Sequence, residues 1–77
     1  MAKRILVAEA ADAVRQVIEA SLRQNGFDVI GVSSSARATE VLQFGRPDLI
    51  VTGGDLLDDS QRPFYDIVQS NPKTTSI

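Results

Sequence analysis

Three short runs of apolar residues recur along the chain, and a segment with helical spacing follows each of them. The runs occupy positions 5–8, 27–32 and 48–52. The first run is continuous and does not alternate with polar residues, which suits a strand buried on both faces, as in a parallel sheet. The third run is again apolar in its middle. The pattern therefore predicts three strands of one sheet.

The segments between the runs carry apolar residues at a period near 3.6, which predicts amphipathic helices. The first helix covers about 12–25, with Asp12 as its N-cap and Gly26 just beyond its end. The apolar positions that define its inner face are Val14, Val17, Ile18 and Leu22.

Two further helices are bounded by similar signals. The serine hydroxyls of 33–35 offer N-caps for a helix over about 35–45. Pro63 suits the first turn of a third helix, in which Phe64 is predicted to lie in the core and Tyr65 to be exposed. The element order βαβαβα predicts an α/β fold with a parallel sheet and right-handed crossovers.

Composition excludes several classes of function. The 77 residues allow one small domain, and 43% hydrophobic with 23% charged residues is an ordinary globular composition. Without Cys or His, the chain has no disulfide, no zinc site and no Ser-His-Asp or Cys-His catalysis. The net charge is −2 and the eight Lys and Arg are scattered, so no nucleic-acid surface is evident. No apolar run approaches the ~20 residues of a membrane span, and we expect a cytoplasmic protein.

Five segments, in order along the chain, resemble those of response-regulator receiver domains of the chemotaxis-regulator type. Segment 3–9 is similar to their opening strand, and 46–51 to the strand that delivers the phosphoacceptor aspartate. The other three segments are 13–15, 25–29 and 70–77. The resemblance implies a flavodoxin-like parallel sheet, of which this chain supplies the βαβαβα half of a (βα)5 receiver, and a place in two-component phosphorelay signalling.

The residues at the reactive positions depart from the family's pattern. Receivers hold Mg²⁺ with two carboxylates at the end of the first strand and transfer a phosphoryl group to a third. Glu9 stands at the first acidic position, but Ala10 occupies the second and Gly53 the phosphoacceptor position. The family's later Asp-Gly pair corresponds to Ser60 and Gln61. We therefore predict a degenerate pseudo-receiver that is not an enzyme, has no catalytic residue and binds neither Mg²⁺ nor another cofactor.

Residues 1–77 are expected to form an incomplete receiver-like domain, because the family's strands 4 and 5 lie beyond Ile77. Strand 3, with Leu49, Ile50 and Val51, would then be an edge strand instead of a central one. Apolar edges recruit other strands. We expect either a fragment of a longer polypeptide or an oligomer, with a protein partner or a second copy at the strand 3 edge. A natural chain and an engineered one are equally compatible with the sequence.

Three hypotheses for the function remain open. The first is a signalling module that acts through protein contacts, independently of phosphorylation. The second is a phosphorylatable receiver that uses a displaced acid such as Asp55, although two residues of extended chain carry it about 6.5 Å further from Glu9. The third is a small-ligand domain of the flavodoxin-like class, binding beside the turn at 53–54. The acids at 58–59 lack EF-hand spacing, which predicts a solvated turn.

Overall fold

A computed structural model describes residues 3–53, 56–58 and 60–72. The elements alternate in the predicted order βαβαβα, which confirms the α/β class. None of the helices in this part of the chain is long and apolar enough to cross a membrane. The strands are β1 (Arg4–Ala8), β2 (Asp28–Val32) and β3 (Leu49–Thr52), and the helices are α1 (Asp12–Gln24), α2 (Ser35–Phe44) and α3 (Phe64–Ser70).

The three strands form one parallel sheet in the order β2-β1-β3. Leu6 of the central strand lies level with Ile30 in β2 and Ile50 in β3. Because all strands run the same way, their carboxyl ends meet at one edge of the sheet, where ligands of open α/β sheets bind. Within the described residues β3 has β1 as its one strand neighbour, so it forms an edge there.

The helix boundaries agree with the predicted signals except at two positions. Ser34 is the N-cap of α2, and its hydroxyl accepts a hydrogen bond from the Arg37 N–H at 3.2 Å. The prediction of Asp12 as an N-cap is wrong: the cap is Ala11, and Asp12 lies in the first turn, where a carboxylate complements the positive end of the helix dipole. Pro63 is the N-cap of α3 and so precedes the helix by one residue.

The hydrophobic core lies on the face of the sheet that α2 and α3 cover. Phe64 is fully buried there, as predicted, whereas its neighbour Tyr65 is 58% exposed, also as predicted. Alternate residues of β1 point to this face because successive side chains of a strand project to opposite sides. The buried members of this core are Leu6, Ala8, Ala38, Leu56, Phe64 and Val68.

Helix α1 lies against the opposite face of the sheet, to which Ile5 and Val7 point. Both of these strand residues are buried, yet no residue of α1 is. The predicted inner face of α1 is therefore right only in part: Leu22 is half-buried, but Val14 and Val17 are 49% and 70% exposed. In the part of the chain that the structure describes, no second helix lies beside α1 to cover these valines.

Candidate functional site

The carboxyl ends of β1 and β3 bring two predicted site positions side by side. Ala8 pairs with Thr52 at the end of the ladder, so Glu9 and Gly53 follow on neighbouring strands. The Gly53 N–H donates to the Ala8 carbonyl at 2.9 Å, and the Glu9 N–H donates to the Val32 carbonyl at 3.0 Å. The backbone of all three strands is thus tied together at this rim of the sheet.

Glu9 places a carboxylate at this rim, and one of its two oxygens accepts a hydrogen bond. The side chain is half-buried, and its Oε1 accepts a hydrogen bond from the Ala11 N–H at 3.2 Å. The next residue, Ala10, is exposed and has a methyl group at the position where the resemblance places a second carboxylate. Among the residues with described positions, no group of three or more His, Cys, Asp or Glu side chains is arranged to hold a metal ion.

Gly53 offers no side chain at the position where the resemblance places a phosphoacceptor. Gly54 and Asp55 lie outside the described residues, so a displaced acid at Asp55 stays a prediction.

Arg15 is the site residue that sequence reasoning missed. Its Nη1 donates to the Glu9 carbonyl oxygen at 3.1 Å, and its Nη2 lies 2.8 Å from Asp12 Oδ1. The Arg15 side chain is only 16% exposed, so a fixed positive charge lies beneath the loop between β1 and α1. The spacing of Asp12 and Arg15 by three positions is a helical ion-pair signal that could have found this contact.

The turn before α3 places Gln61 in a conformation that favours glycine. Its φ is 64°, in the left-handed region, which costs most residues roughly 1–2 kcal/mol. This residue stands where the resemblance places the glycine of the family's Asp-Gly pair. Asp58 holds the turn, since its Oδ1 accepts from the Ser60 and Arg62 N–H groups at 2.9 and 2.8 Å. Asp58 is therefore part of a hydrogen-bonded turn, and Asp59 lies outside the described residues.

Solved structures of response regulators match 97% of this chain. A response regulator from Desulfuromonas acetoxidans superposes with a TM-score of 0.83 at 27% sequence identity. The chemotaxis response regulator CheY4 of Vibrio cholerae gives a TM-score of 0.83 at 17% identity. The N-terminal domain of a response regulator receiver protein from Methanoculleus marisnigri JR1 gives 0.80 at 22% identity. No family model and no curated protein match the chain.

These likenesses confirm the predicted flavodoxin-like receiver fold. The chain spans 61%, 62% and 61% of the three matched structures, about three fifths of their length.

Proposed function

We propose that this chain is a receiver-like signalling module that acts through contacts with other proteins, independently of phosphorylation. The observation that carries the proposal is the juxtaposition of Glu9 and Gly53 at the carboxyl ends of β1 and β3. The first residue offers a single carboxylate and the second offers no side chain. The proposal includes a cytoplasmic location and no bound cofactor, both of which rest on the sequence.

The chemistry of aspartyl phosphate explains why this juxtaposition matters. Phosphoryl transfer to a carboxylate depends on positioning and on cations that balance the developing negative charge. Gly53 has no nucleophile, and Ala10 adds no oxygen to the one that Glu9 supplies. The Arg15 guanidinium lies 3.1 Å from the Glu9 carbonyl oxygen, and its charge repels a divalent cation from the same place. The arrangement therefore favours a signalling role without phosphorylation.

The contact surface in this proposal is the edge of β3. The Gly53 N–H, just past the end of β3, donates to the Ala8 carbonyl of β1 at 2.9 Å. Because successive residues direct their backbone groups to opposite sides of a strand, Ile50 and Thr52 direct theirs away from β1. Leu49 is also 51% exposed. An apolar edge with open hydrogen-bonding groups suits strand addition by a protein partner or by a second copy.

Incubation with Mg²⁺ and acetyl phosphate tests the proposal. We expect the intact mass of the 77-residue chain to stay unchanged, because no carboxylate stands at the acceptor position. A receiver that is phosphorylated by the same donor serves as the positive control and shows that the donor is active.

A stoichiometric, hydroxylamine-labile phosphoryl adduct would overturn the proposal. The variant Asp55→Asn then decides whether that acid is the acceptor, because the adduct disappears if it is. The small-ligand hypothesis has its own measurement: the absorbance spectrum of the purified protein shows a bound flavin directly.

A further inference from the structure

Helix α1 is followed at once by an asparagine and a glycine, both exposed to solvent. Asn25 is the C-cap of the helix, and Gly26 has a φ of 86°, in the left-handed region that glycine adopts most readily. A Cβ built on Gly26 would meet no atom of the fold within 4 Å, apart from the adjoining residues. The backbone nitrogen of Gly26 is therefore unhindered, either by a side chain of its own or by the rest of the described structure.

An asparagine that precedes an unhindered backbone nitrogen can lose its side-chain amide without an enzyme. The Gly26 nitrogen gives its proton to hydroxide and attacks the Asn25 Cγ, so that an N–Cγ bond forms. The Cγ–Nδ2 bond breaks, and the amide nitrogen takes a proton from water and leaves as ammonia. Water then opens the five-membered succinimide at either carbonyl, which gives aspartate or isoaspartate at position 25. The net reaction exchanges ammonia for water and needs no other reactant.

Two hydrogen bonds hold both reacting groups in the C-cap of α1. The Asn25 Nδ2, which leaves in the reaction, donates to the Ser21 carbonyl at 2.8 Å. The Gly26 N–H, which supplies the attacking nitrogen, donates to the Arg23 carbonyl at 3.0 Å. These carbonyls belong to the last turn of the helix, where backbone acceptors have no partner within the helix itself. The reaction therefore requires this cap to open.

Opening of the cap is a local event. Within residues 20–27, Leu22 is half-buried and every other residue is exposed. A helix end with few buried apolar groups opens at a free energy far below that of global unfolding. The two hydrogen bonds are therefore expected to slow the reaction about 10- to 100-fold relative to an unfolded chain, without preventing it.

We infer that Asn25 is a site of spontaneous modification, at which the Gly26 nitrogen displaces the side-chain amide when the C-cap of α1 frays. The product weakens the cap, because a carboxylate only accepts hydrogen bonds and cannot donate to the Ser21 carbonyl. It also adds a negative charge at the negative end of the helix dipole. The site lies beside the amino end of β2, at the opposite edge of the sheet from Glu9 and Gly53, and so goes beyond the proposed function.

Incubation of the folded 77-residue chain at mildly alkaline pH, followed by trypsin digestion and mass spectrometry, tests this inference. Cleavage after Arg23 and Arg37 releases peptide 24–37, in which Asn25 is the sole asparagine. We expect aspartate and isoaspartate to accumulate there, about 10- to 100-fold more slowly than in the chain unfolded by urea. Urea concentrations well below the unfolding transition should leave the rate unchanged, because fraying exposes little surface. A sample digested without incubation gives the background.

The chain contains its own control for the chemistry. Asn71 precedes Pro72, whose nitrogen carries no hydrogen, so Asn71 should stay unmodified in the same samples. The variant Asn25→Gln keeps an amide donor but cannot form the five-membered ring, and its peptide 24–37 should stay unmodified over the same period. Asn25→Asp copies one product, and we expect its thermal midpoint to fall by about 5 °C.

Four results would overturn the inference. The first is the absence of product at Asn25 in the folded chain, and the second is an equal rate in the folded and unfolded chains. The third is a rate that follows the unfolded fraction as urea is raised, since the reaction would then require global unfolding. The fourth is an Asn25→Asp chain with the original thermal midpoint, since the product would then leave the cap as strong as before. None of these outcomes depends on the phosphodonor result.

Discussion

The two faces of the sheet are built from the same strands but are held in different ways. On the face of α2 and α3, Leu6 and Phe64 are fully buried in an apolar core. On the face of α1, the helix has no buried residue, and the side chains of Arg15 and Glu19 are only 16% and 15% exposed. Buried apolar side chains pack on the first face, whereas partly buried charged side chains of α1 lie against the second.

The charges of α1 form a line along the helix. Glu19 lies between two arginines, with 3.8 Å from its Oε1 to Arg15 Nε and 3.8 Å from its Oε2 to Arg23 Nη1. Its carboxylate lies over Gly31 of β2, where the missing side chain leaves room. Ion pairs of this length contribute little free energy and are screened by salt, whereas apolar burial is not directional and contributes more. The comparison teaches that the α2 and α3 face is held by an apolar core, whereas the α1 face combines the buried strand residues Ile5 and Val7 with charged side chains of the helix.

The largest expected loss of stability comes from a cavity in the core beneath α2 and α3. Phe64→Ala leaves a cavity among buried apolar groups, which destabilises by about 3–5 kcal/mol. A domain of 77 residues has a free energy of unfolding of roughly 4–12 kcal/mol. We therefore expect the variant to be largely unfolded or close to it, measured by urea denaturation followed by circular dichroism.

The neighbouring aromatic residue provides the matched control. Tyr65→Ala removes a ring of similar size that is 58% exposed, and it should change the free energy of unfolding by less than about 1 kcal/mol. If the two variants lost similar amounts of stability, the core would not be concentrated on this face.

Removing the central cation of α1 is expected to have an intermediate effect. Arg15→Ala removes the hydrogen bond to the Glu9 carbonyl and the ion pairs with Asp12 and Glu19. Because the side chain is mostly buried, we expect a loss of about 1–2 kcal/mol in the free energy of unfolding. Part of this difference should disappear at high salt, which urea denaturation at two ionic strengths would measure.

An exposed arginine of α2 serves as the control for Arg15. Arg37 is 72% exposed and pairs with Glu40 three residues on, so Arg37→Ala should cost less than about 0.5 kcal/mol. Equal losses for the two arginines would contradict a specific role of charge on the α1 face.

The sequence predicts the α2 and α3 face better than the α1 face, for a physical reason. Apolar periodicity reports burial directly, so the strands and the core position of Phe64 could be predicted from it. The proximity of Glu9 and Gly53 could be predicted as well, because the carboxyl ends of parallel strands lie at one edge of the sheet.

Charged residues do not give the same signal. Periodicity assigns Arg15 and Glu19 to the solvent side and Val17 to the inside, whereas the structure has Val17 at 70% exposed. Helical spacing can predict that the charges pair with each other. It cannot predict that the Glu19 carboxylate lies over Gly31, because that contact depends on how α1 sits on β2 in three dimensions.

The smallest expected effect tests that contact directly. In Gly31→Ala the new methyl group takes the place of the Glu19 carboxylate, which must swing away from Arg15 and Arg23. Because the side chain of Glu19 is flexible, displacing its carboxylate should lower the free energy of unfolding by no more than about 1 kcal/mol. Alanine in place of glycine inside a strand raises it by about 0.5–1 kcal/mol, so the net loss is smaller.

A double-mutant cycle separates these two contributions. In a Glu19→Ala background the carboxylate is gone, so Gly31→Ala should stabilise the protein by about 0.5 kcal/mol instead of weakening it. The coupling between the two positions, measured by urea denaturation of all four proteins, is then about 1 kcal/mol. Additive effects would show that Glu19 does not need the space above Gly31.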